Sequence, residues 1–506
     1  MQETLLKIVQ TVNSYLTDYI LIVLLVGVGL YFTIRTKFVQ VRCFGEGMKK
    51  VFGGLSLRGG KQKSGLSSFQ ALATAIAAQV GTGNIVGACG AILVGGPGAI
   101  FWMWIIAFLG MATIYAEATL AQVTKKVNED GTVEGGPVYY IKHVFTGKFG
   151  KFLAGFFAVA VILALGFMGT MVQSNSIAGT MGTAIGMNSS LYWIIGLVVA
   201  SLAAVVFLGG VDRLASVTEK IVPIMALLYI VGALVVIFAR IQYIPETFGM
   251  IFKYAFNANA LIGGGIGYAL KCAISQGAKR GLFSNEAGMG STPHAHAQAN
   301  VKTPHEQGVT AMIGVFIDTF IVLTMTALVV ISTLYAGGPL GDAALYNPAD
   351  GGLLSTFVES INGEPAEVFA KGTLAQQAFG SGFSIIFGEA AGPVIGNWFV
   401  AICLFFFAFS TILSWNFFGK INFQYMFGKK YTVIYTVLAV GFVFLGSLFS
   451  NDLVWELTDF FNYLMVLPNV VALFFLGSVV VKCAKRGYAN KAAKKQAKLS
   501  EQKNEE

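Results

Sequence analysis

Charged residues are scarce in this 506-residue chain, at 12% of the sequence, whereas 55% of it is hydrophobic. A soluble domain carries about 25% charged residues, so the composition excludes a soluble fold. Residues 64–116 and 152–211 contain no charged side chain. Each segment is long enough for two helices of about 20 residues, and such long uncharged runs are not typical of barrel strands. The sequence therefore predicts an all-α polytopic membrane protein.

Cysteine and histidine are also rare, with five and four residues. Neither type shows the pair spacing of a disulfide framework or a zinc site, so we expect no transition metal and no cofactor. The chain has no phosphate loop, nucleophile triad or paired catalytic carboxylates, which argues against an enzyme. The net charge of +9 is explained by membrane orientation and does not indicate nucleic-acid binding.

Basic residues alternate between the two sides of a predicted eleven-helix topology. The predicted spans are 18–34, 69–93, 99–123, 152–181, 191–208, 215–239, 261–299, 308–335, 393–418, 431–449 and 453–482. With the N-terminus outside, the cytoplasmic segments hold 27 of the 34 Lys and Arg residues. By the positive-inside rule, this predicts a cytoplasmic C-terminus. We expect the protein to lie in a bacterial or archaeal inner membrane. The basic tail 483–506 and the loop 36–68 are then cytoplasmic, and the acidic loop 336–392 is extracellular.

Two predicted spans contain helix-breaking residues at membrane depth. The second span includes Gly81-Thr82-Gly83-Asn84, and the seventh includes the segment 283–293 with three glycine and proline residues. Such breaks occur where freed backbone groups face protein, water or ligand, and transporters place them at matching positions of two repeats. A glycine packing face is the alternative. The five-helix spacing predicts inverted repeats at 69–239 and 240–482, with residues 1–35 as an extra N-terminal helix.

Several blocks resemble the alanine or glycine:cation symporter family. The most specific block is Gly95–Trp104 followed by Gly110-Met111-Ala112, and the others are Gly81–Asn84, Gly135–Ile141 and Gly281–Gly288. The resemblance implies a LeuT-like five-plus-five fold and sodium-coupled uptake of alanine, glycine or another small neutral amino acid by alternating access. We expect a monomer in the lipid bilayer. The alternatives are a proton-coupled symporter and a membrane channel.

The resemblance also implies residue roles. The substrate carboxylate would meet Gln79, Gly81, Thr82 and Gly83, and sodium would bind the Ala77 and Val80 carbonyls with Phe407, Ser410 and Thr411. Local bonding of the two hydroxyls to their own helix is the alternative for Ser410 and Thr411. Further pocket walls are expected from Phe167, Thr170, Gln173, Phe283, Ser284, Asn285, Glu286 and Met289.

Three acidic residues lie within the predicted spans, where ionisable groups are functional candidates. Glu286 would either bind the substrate ammonium group or cap a broken helix end. Asp318, with Thr319, is expected to form a second cation site near Asn84. Glu117 is either functional or a tie between its helix and the cytoplasmic side.

Overall fold

In the computed structural model, the described residues are 2–53, 65–256, 267–338, 371–449 and 451–505. Apart from two short helical segments, Leu16–Leu21 and Ile241–Tyr243, they form twenty helices and one small hairpin of strands β1 (Lys126–Val127) and β2 (Val133–Glu134). The helices are α1 (Gln2–Tyr15), α2 (Ile22–Arg35), α3 (Val39–Arg42), α4 (Phe44–Phe52), α5 (Ser68–Gln79), α6 (Gly83–Gly95), α7 (Gly98–Thr124), α8 (Pro137–Val144), α9 (Gly147–Ile185), α10 (Ser189–Phe207), α11 (Gly210–Ala239), α12 (Ile244–Phe256), α13 (Gly267–Asn285), α14 (Pro293–Gln298), α15 (Pro304–Tyr335), α16 (Lys371–Phe387), α17 (Gly392–Phe427), α18 (Lys429–Gly446), α19 (Asn451–Phe475) and α20 (Gly477–Glu505).

The all-α membrane architecture predicted from composition is confirmed. Among the described residues, eight helices are long and apolar enough to cross a bilayer, and the bent pair α5–α6 makes a ninth. Helix α2 is shorter than a full span, and the seventh predicted span is divided between α13 and α14. The count of eleven spans therefore stays a prediction.

The predicted loop 336–392 is partly wrong in its secondary structure. Residues 339–370 lie outside the described part of the chain, but α16 occupies Lys371–Phe387. Leu374, Ala378 and Phe379 are fully buried in α16. These residues recur at helical spacing and form one apolar face. Packing of this face stabilises a helix in a segment for which the acidic residues nearby had suggested a loop.

The centre of the molecule is formed by the broken helices and by α7 and α17. Both α7 and α17 are largely enclosed, whereas α10 and α18 leave most of their apolar windows uncovered. Exposed apolar side chains on a membrane helix meet lipid instead of water. The polar groups at the breaks are therefore surrounded by protein on all sides, and the fold places them far from the lipid-facing surface.

Candidate functional site

The first break separates α5 from α6, whose axes differ by 44°. Val80 ends α5 with φ −80° and ψ 86°, and its N–H still bonds the Ile76 carbonyl at 2.7 Å. The next free N–H, that of Gly81, donates to Asn84 Oδ1 at 2.9 Å. Asn84 therefore stabilises the break by replacing a lost helical bond with its side chain.

Glycine is required at two positions of this break because other helices come very close. A Cβ atom on Gly81 would lie 2.4 Å from Thr411 Oγ1 of α17, and one on Gly83 would lie 3.0 Å from the Ser284 Cα atom. The first break therefore touches both α17 and the second break. A direct hydrogen bond adds to this contact, since Gln79 Nε2 donates to the Asn285 carbonyl at 2.8 Å.

The second break follows Asn285 and has an irregular backbone. Glu286 has a φ of +57°, and Gly288 and Gly290 have φ of +92° and +80°. These are left-handed conformations, which glycine adopts readily and glutamate rarely. Asn285 Oδ1 accepts the Ala287 N–H at 3.0 Å and so stabilises the turn.

Two buried carboxylates hold this second break in place. Glu117 of α7 accepts the N–H groups of Gly288 at 3.1 Å and Gly290 at 2.9 Å, and the Asn469 amide of α19 at 2.6 Å. Of the two sequence interpretations of Glu117, the structure thus supports a tie, although to the break and not to the end of its own helix. The contribution of Asn469 had no signal in the sequence.

The Glu286 carboxylate accepts hydrogen bonds from Ser291 Oγ and Trp415 Nε1, both at 2.5 Å. Both donors are side chains, whereas a helix cap accepts backbone N–H groups, so both interpretations of Glu286 stay predictions. Trp415, on α17, was not among the predicted site residues. It lies four positions after Thr411, and this helical spacing could have pointed to it.

Asp318 of α15 lies between the two breaks. Asn84 Nδ2 donates to Asp318 Oδ1 at 2.6 Å and to its carbonyl at 3.0 Å, while Ser284 Oγ lies 3.0 and 3.1 Å from the two carboxylate oxygens. Thr319 Oγ1 donates to Asp318 Oδ2 at 2.7 Å. The structure therefore brings together Asn84, Asp318 and Thr319, as predicted, and adds Ser284 to the group.

The predicted sodium ligands on α5 and α17 also meet. Thr411 Oγ1 lies 2.9 Å from the Ala77 carbonyl and 3.0 Å from the Phe407 carbonyl. Ser410 Oγ lies 2.9 Å from the Phe407 carbonyl and 3.5 Å from the Ala77 carbonyl. The local back-bonding alternative is thus present in the structure, but the same hydroxyls reach across to the broken helix. Four oxygen atoms of the kind that hard cations prefer are therefore adjacent.

Not every predicted wall residue reaches the breaks. Gln173 does, because its Oε1 accepts the Thr82 N–H at 3.3 Å. Thr170 instead bonds the Phe167 carbonyl of its own helix at 2.8 Å, and the Phe167 ring stacks on Phe442 of α18 at 4.5 Å. The prediction that Phe167 and Thr170 line the pocket therefore has no support from their described contacts.

Phe283 and Met289 flank the second break. The Phe283 ring packs between Trp415 and Trp455, at centroid distances of 5.7 and 4.7 Å, and lies beside Gly83. Met289 is fully buried, and its N–H bonds the Glu286 carbonyl at 3.1 Å. Phe283 thus contacts both breaks, whereas Met289 belongs to the turn itself.

Four polar side-chain atoms of the predicted substrate-binding residues are buried and make no hydrogen bond within the part of the chain that the structure describes. They are Gln79 Oε1, Thr82 Oγ1, Gln173 Nε2 and Asn285 Nδ2. Leaving one such atom unsatisfied costs about 1–3 kcal/mol. Gln79 is bonded to Asn285 and Thr82 to Gln173, so the four atoms belong to two bonded pairs of residues. Each pair includes a residue at the first break and offers polar atoms that a ligand can satisfy.

A cavity of about 690 Å³ lies at the side of the molecule that carries the hairpin. It is lined by the hairpin turn 130–134, the start of α11 and the last turns of α17 from Phe417 onward. Hydrogen bonds from the Thr132 hydroxyl and N–H, at 2.6 and 2.9 Å, hold the pKa of Asp130 below its usual range. The cavity rim thus carries a carboxylate that stays ionised at neutral pH.

Broken helices that meet at membrane depth around polar groups are the architecture of a secondary transporter. The fold is similar to a crystal structure of MhsT in complex with L-phenylalanine, with a TM-score of 0.51 at 14% identity over 84% of this chain and 99% of that one. The LeuT-like fold expected from the resemblance is therefore confirmed.

The chain belongs to the sodium:alanine symporter family, which it matches over residues 2–503. It is 38% identical to the sodium/alanine symporter AgcS of Methanococcus maripaludis, over 94% of this chain and 95% of that protein. It is 35% identical to a Bacillus subtilis protein described as "Probable sodium/glutamine symporter GlnT", over 96% of this chain and 91% of that protein. The family is one of cation-coupled amino-acid symporters, which supports a transporter and not an enzyme.

Proposed function

We propose that this protein imports a small neutral amino acid, alanine or glycine, together with sodium. The observation that carries the proposal is the group of four unsatisfied polar atoms at the two breaks. Gln173 Nε2, Asn285 Nδ2 and Thr82 Oγ1 supply donors for a carboxylate, and Gln79 Oε1 supplies an acceptor for an ammonium group. An amino-acid zwitterion has both of these groups.

The close contacts at the breaks favour a small side chain. Gly83 lies against Ser284 and the Phe283 ring. A Cβ atom added to Gly314 of α15 would lie 2.9 Å from Gln79 Oε1. These approaches leave little space beside the polar atoms. A substrate with a methyl group or a hydrogen atom as its side chain fits such a site better than a long one.

Sodium is placed by the proposal between α5 and α17. The carbonyls of Ala77 and Phe407 and the hydroxyls of Ser410 and Thr411 are hard oxygen ligands, with the Val80 carbonyl as the fifth predicted member. The Thr411 contact with Gly81 joins this group to the substrate break. Filling the cation site would therefore fix the geometry of the backbone that meets the substrate, which is a physical basis for coupling.

Proton coupling is the second candidate, and one observation favours it. Asp318 is fully buried and contacts both breaks, through Asn84 and Ser284. A carboxylate in that position can take up a proton where a sodium ion would otherwise bind, or it can serve as a ligand of a second sodium ion.

We further propose that the structure is closed on the outer side and open to the cytoplasm. Lys279 pairs with Asp459 at 2.8 Å, and Arg280 pairs with it at 3.3 Å, between α13 and α19. In the N-out orientation proposed from the 27 of 34 basic residues, this buried network lies above the breaks and the 690 Å³ cavity lies below them. Alternating access would then exchange the closed side, with α5–α11 and α12–α19 in the two inverted repeats and the chain acting as a monomer.

The test is uptake of labelled alanine by the purified protein in proteoliposomes. An inward sodium gradient is expected to drive accumulation, with choline as the control cation. Glycine and glutamine, added as unlabelled competitors, distinguish a small-substrate site from a longer one. Acceleration by a proton gradient without any sodium requirement would refute sodium coupling, and uptake that does not saturate with substrate would refute a carrier.

A further inference from the structure

We propose that Cys43, Glu46 and His305 form a binding site for a divalent transition-metal ion, with Zn²⁺ as the ion that their donor atoms fit best. One ligating atom from each residue lies within 4.8 Å of the other two. Sulfur, carboxylate oxygen and imidazole nitrogen are all Zn²⁺ ligands, at about 2.0–2.3 Å from the metal. The site lies apart from the broken helices, so this inference does not depend on the proposed transport function.

The backbone holds the three side chains towards one another. Cys43 precedes α4 and Glu46 lies in its first turn, so their spacing of three residues puts them on one side of the helix. His305 is in the first turn of α15, after Pro304. The two helices touch at Gly47, where a Cβ atom would lie 2.6 Å from the Val309 carbonyl. This backbone contact fixes the distance between the ligands of α4 and the ligand of α15.

The ligating atoms have unused bonding capacity. His305 Nε2 and Glu46 Oε2 are buried and make no hydrogen bond among the described residues, and the Cys43 thiol is free and buried. His305 Nε2 lies 3.7 Å from Glu46 Oε1. That distance is too long for a hydrogen bond and close to the separation of about 3.3 Å between two ligands of a tetrahedral metal ion. A small inward shift of the side chains would therefore complete the site.

The other ring nitrogen of His305 is already occupied by a second residue. Tyr115 Oη of α7 lies 2.7 Å from His305 Nδ1. Ligating histidines typically bond a second group through the nitrogen that does not bind the metal, because that bond orients the ring. Tyr115 therefore directs Nε2 towards Cys43 and Glu46, and it is a positioning residue.

The surrounding charges set the cost of binding. A Cys43 thiolate and the Glu46 carboxylate together neutralise a divalent ion. Lys491 Nζ lies 4.0 Å from Glu46 Oε2, and its positive charge disfavours binding of a metal ion there. The Lys491 side chain is 51% exposed, so it can turn into solvent. Removing the Lys491 charge should therefore increase metal affinity, which a purely structural role for the cluster would not predict.

Sequence spacing gave no indication of this site, because one ligand lies about 260 positions after the other two and they meet only through the α4–α15 contact. The three side chains supply three ligands, and water is the expected fourth, as in open zinc sites. Metal binding would join the segment before the first break to the start of α15, and it would do so beside α20, whose Tyr488 packs on His305.

The experiment is a Co²⁺ titration of the chelator-treated full-length protein in detergent, purified through a tag that lacks histidine. We expect one Co²⁺ per chain with sulfur-to-cobalt charge-transfer absorption, and displacement by Zn²⁺. Cys43→Ser should abolish that absorption, and Glu46→Gln and His305→Gln should each weaken binding at least tenfold. Cys403→Ser, which removes a buried thiol of α17, is the matched control and should bind like the wild type.

Two further variants separate a metal site from a simple ion pair. Tyr115→Phe should reduce affinity about tenfold, as second-group substitutions do at metal sites, and Lys491→Met should increase it. Absence of stoichiometric Co²⁺ binding by the wild type would overturn the proposal. Equal charge-transfer absorption in Cys43→Ser would do so as well, and size-exclusion profiles of all variants exclude misfolding as the cause of a loss.

Discussion

Replacement of Thr411 by valine removes one hydroxyl at the contact between α17 and the first break and keeps the shape of the side chain. The hydroxyl lies 2.9 Å from the Ala77 carbonyl and 3.0 Å from the Phe407 carbonyl. In the proposed sodium site it is one of five oxygen ligands. We therefore expect sodium activation of alanine uptake to be weakened more than substrate binding.

The size of the effect follows from the bond that is lost. A hydrogen bond or ligand contact to a charged partner contributes about 1.5–3 kcal/mol. Since 1.4 kcal/mol is a factor of ten at room temperature, the sodium concentration for half-maximal uptake should rise about 10- to 100-fold. The maximal rate at saturating sodium should change much less, because no group at the substrate break is removed.

The assay is initial alanine uptake into proteoliposomes over a range of sodium concentrations at constant ionic strength. Thr411→Ser keeps the hydroxyl and should retain a near-normal sodium response. Thr180→Val is the matched control, because Thr180 makes the same kind of back-bond to Ser176, at 2.8 Å, far along α9. A Thr411→Val protein with wild-type sodium activation would show that the hydroxyl serves only its own helix.

Other substitutions test the remaining parts of the site. Gly83→Ala puts a methyl group 3.0 Å from a backbone atom of the second break, so uptake should fall at least tenfold, whereas Gly441→Ala, with open space around it, should be neutral. Glu117→Gln leaves the glycine N–H groups of the second break with a weaker acceptor. The free energy of unfolding in detergent should therefore fall by about 1–3 kcal/mol. The control Glu129→Gln should leave it unchanged. Asp459→Asn leaves Lys279 and Arg280 without their shared carboxylate. The free energy of unfolding should therefore fall by about 3 kcal/mol. A reporter cysteine on the outer side of the breaks should also react faster with a thiol label.

Local sequence signals were sufficient to predict both breaks. Glycine beside amide side chains at membrane depth has few explanations other than an interrupted helix, and the bend after Gln79 and the left-handed residues after Asn285 agree with it. The pairing of Asn84 with Asp318 was also predictable, because ionisable groups at depth need polar partners. The all-helical membrane class required nothing more than composition.

Long-range partners were not predictable in the same way. Glu117 meets Asn469 across 352 positions, and no spacing rule joins residues so far apart. The face of α9 that meets the breaks is difficult to predict for a local reason. Residues Ile162–Gly169 form a π-helical stretch just before Thr170, which adds residues to each turn. A 3.6-residue period alone therefore does not assign the side chains beyond this stretch to a face of α9.

A single amide joins the two candidate cation sites to the substrate break. Asn84 Oδ1 accepts the Gly81 N–H, while its Nδ2 donates to Asp318. Gly81 in turn lies against the Thr411 hydroxyl, within the distance that only glycine permits. A cation that draws on either Asp318 or Thr411 therefore changes the forces on Gly81, the residue whose N–H the proposed substrate carboxylate would otherwise meet. Coupling in the proposed symporter then needs no distant pathway, because ion and substrate both act on Gly81 and Asn84 of one broken helix.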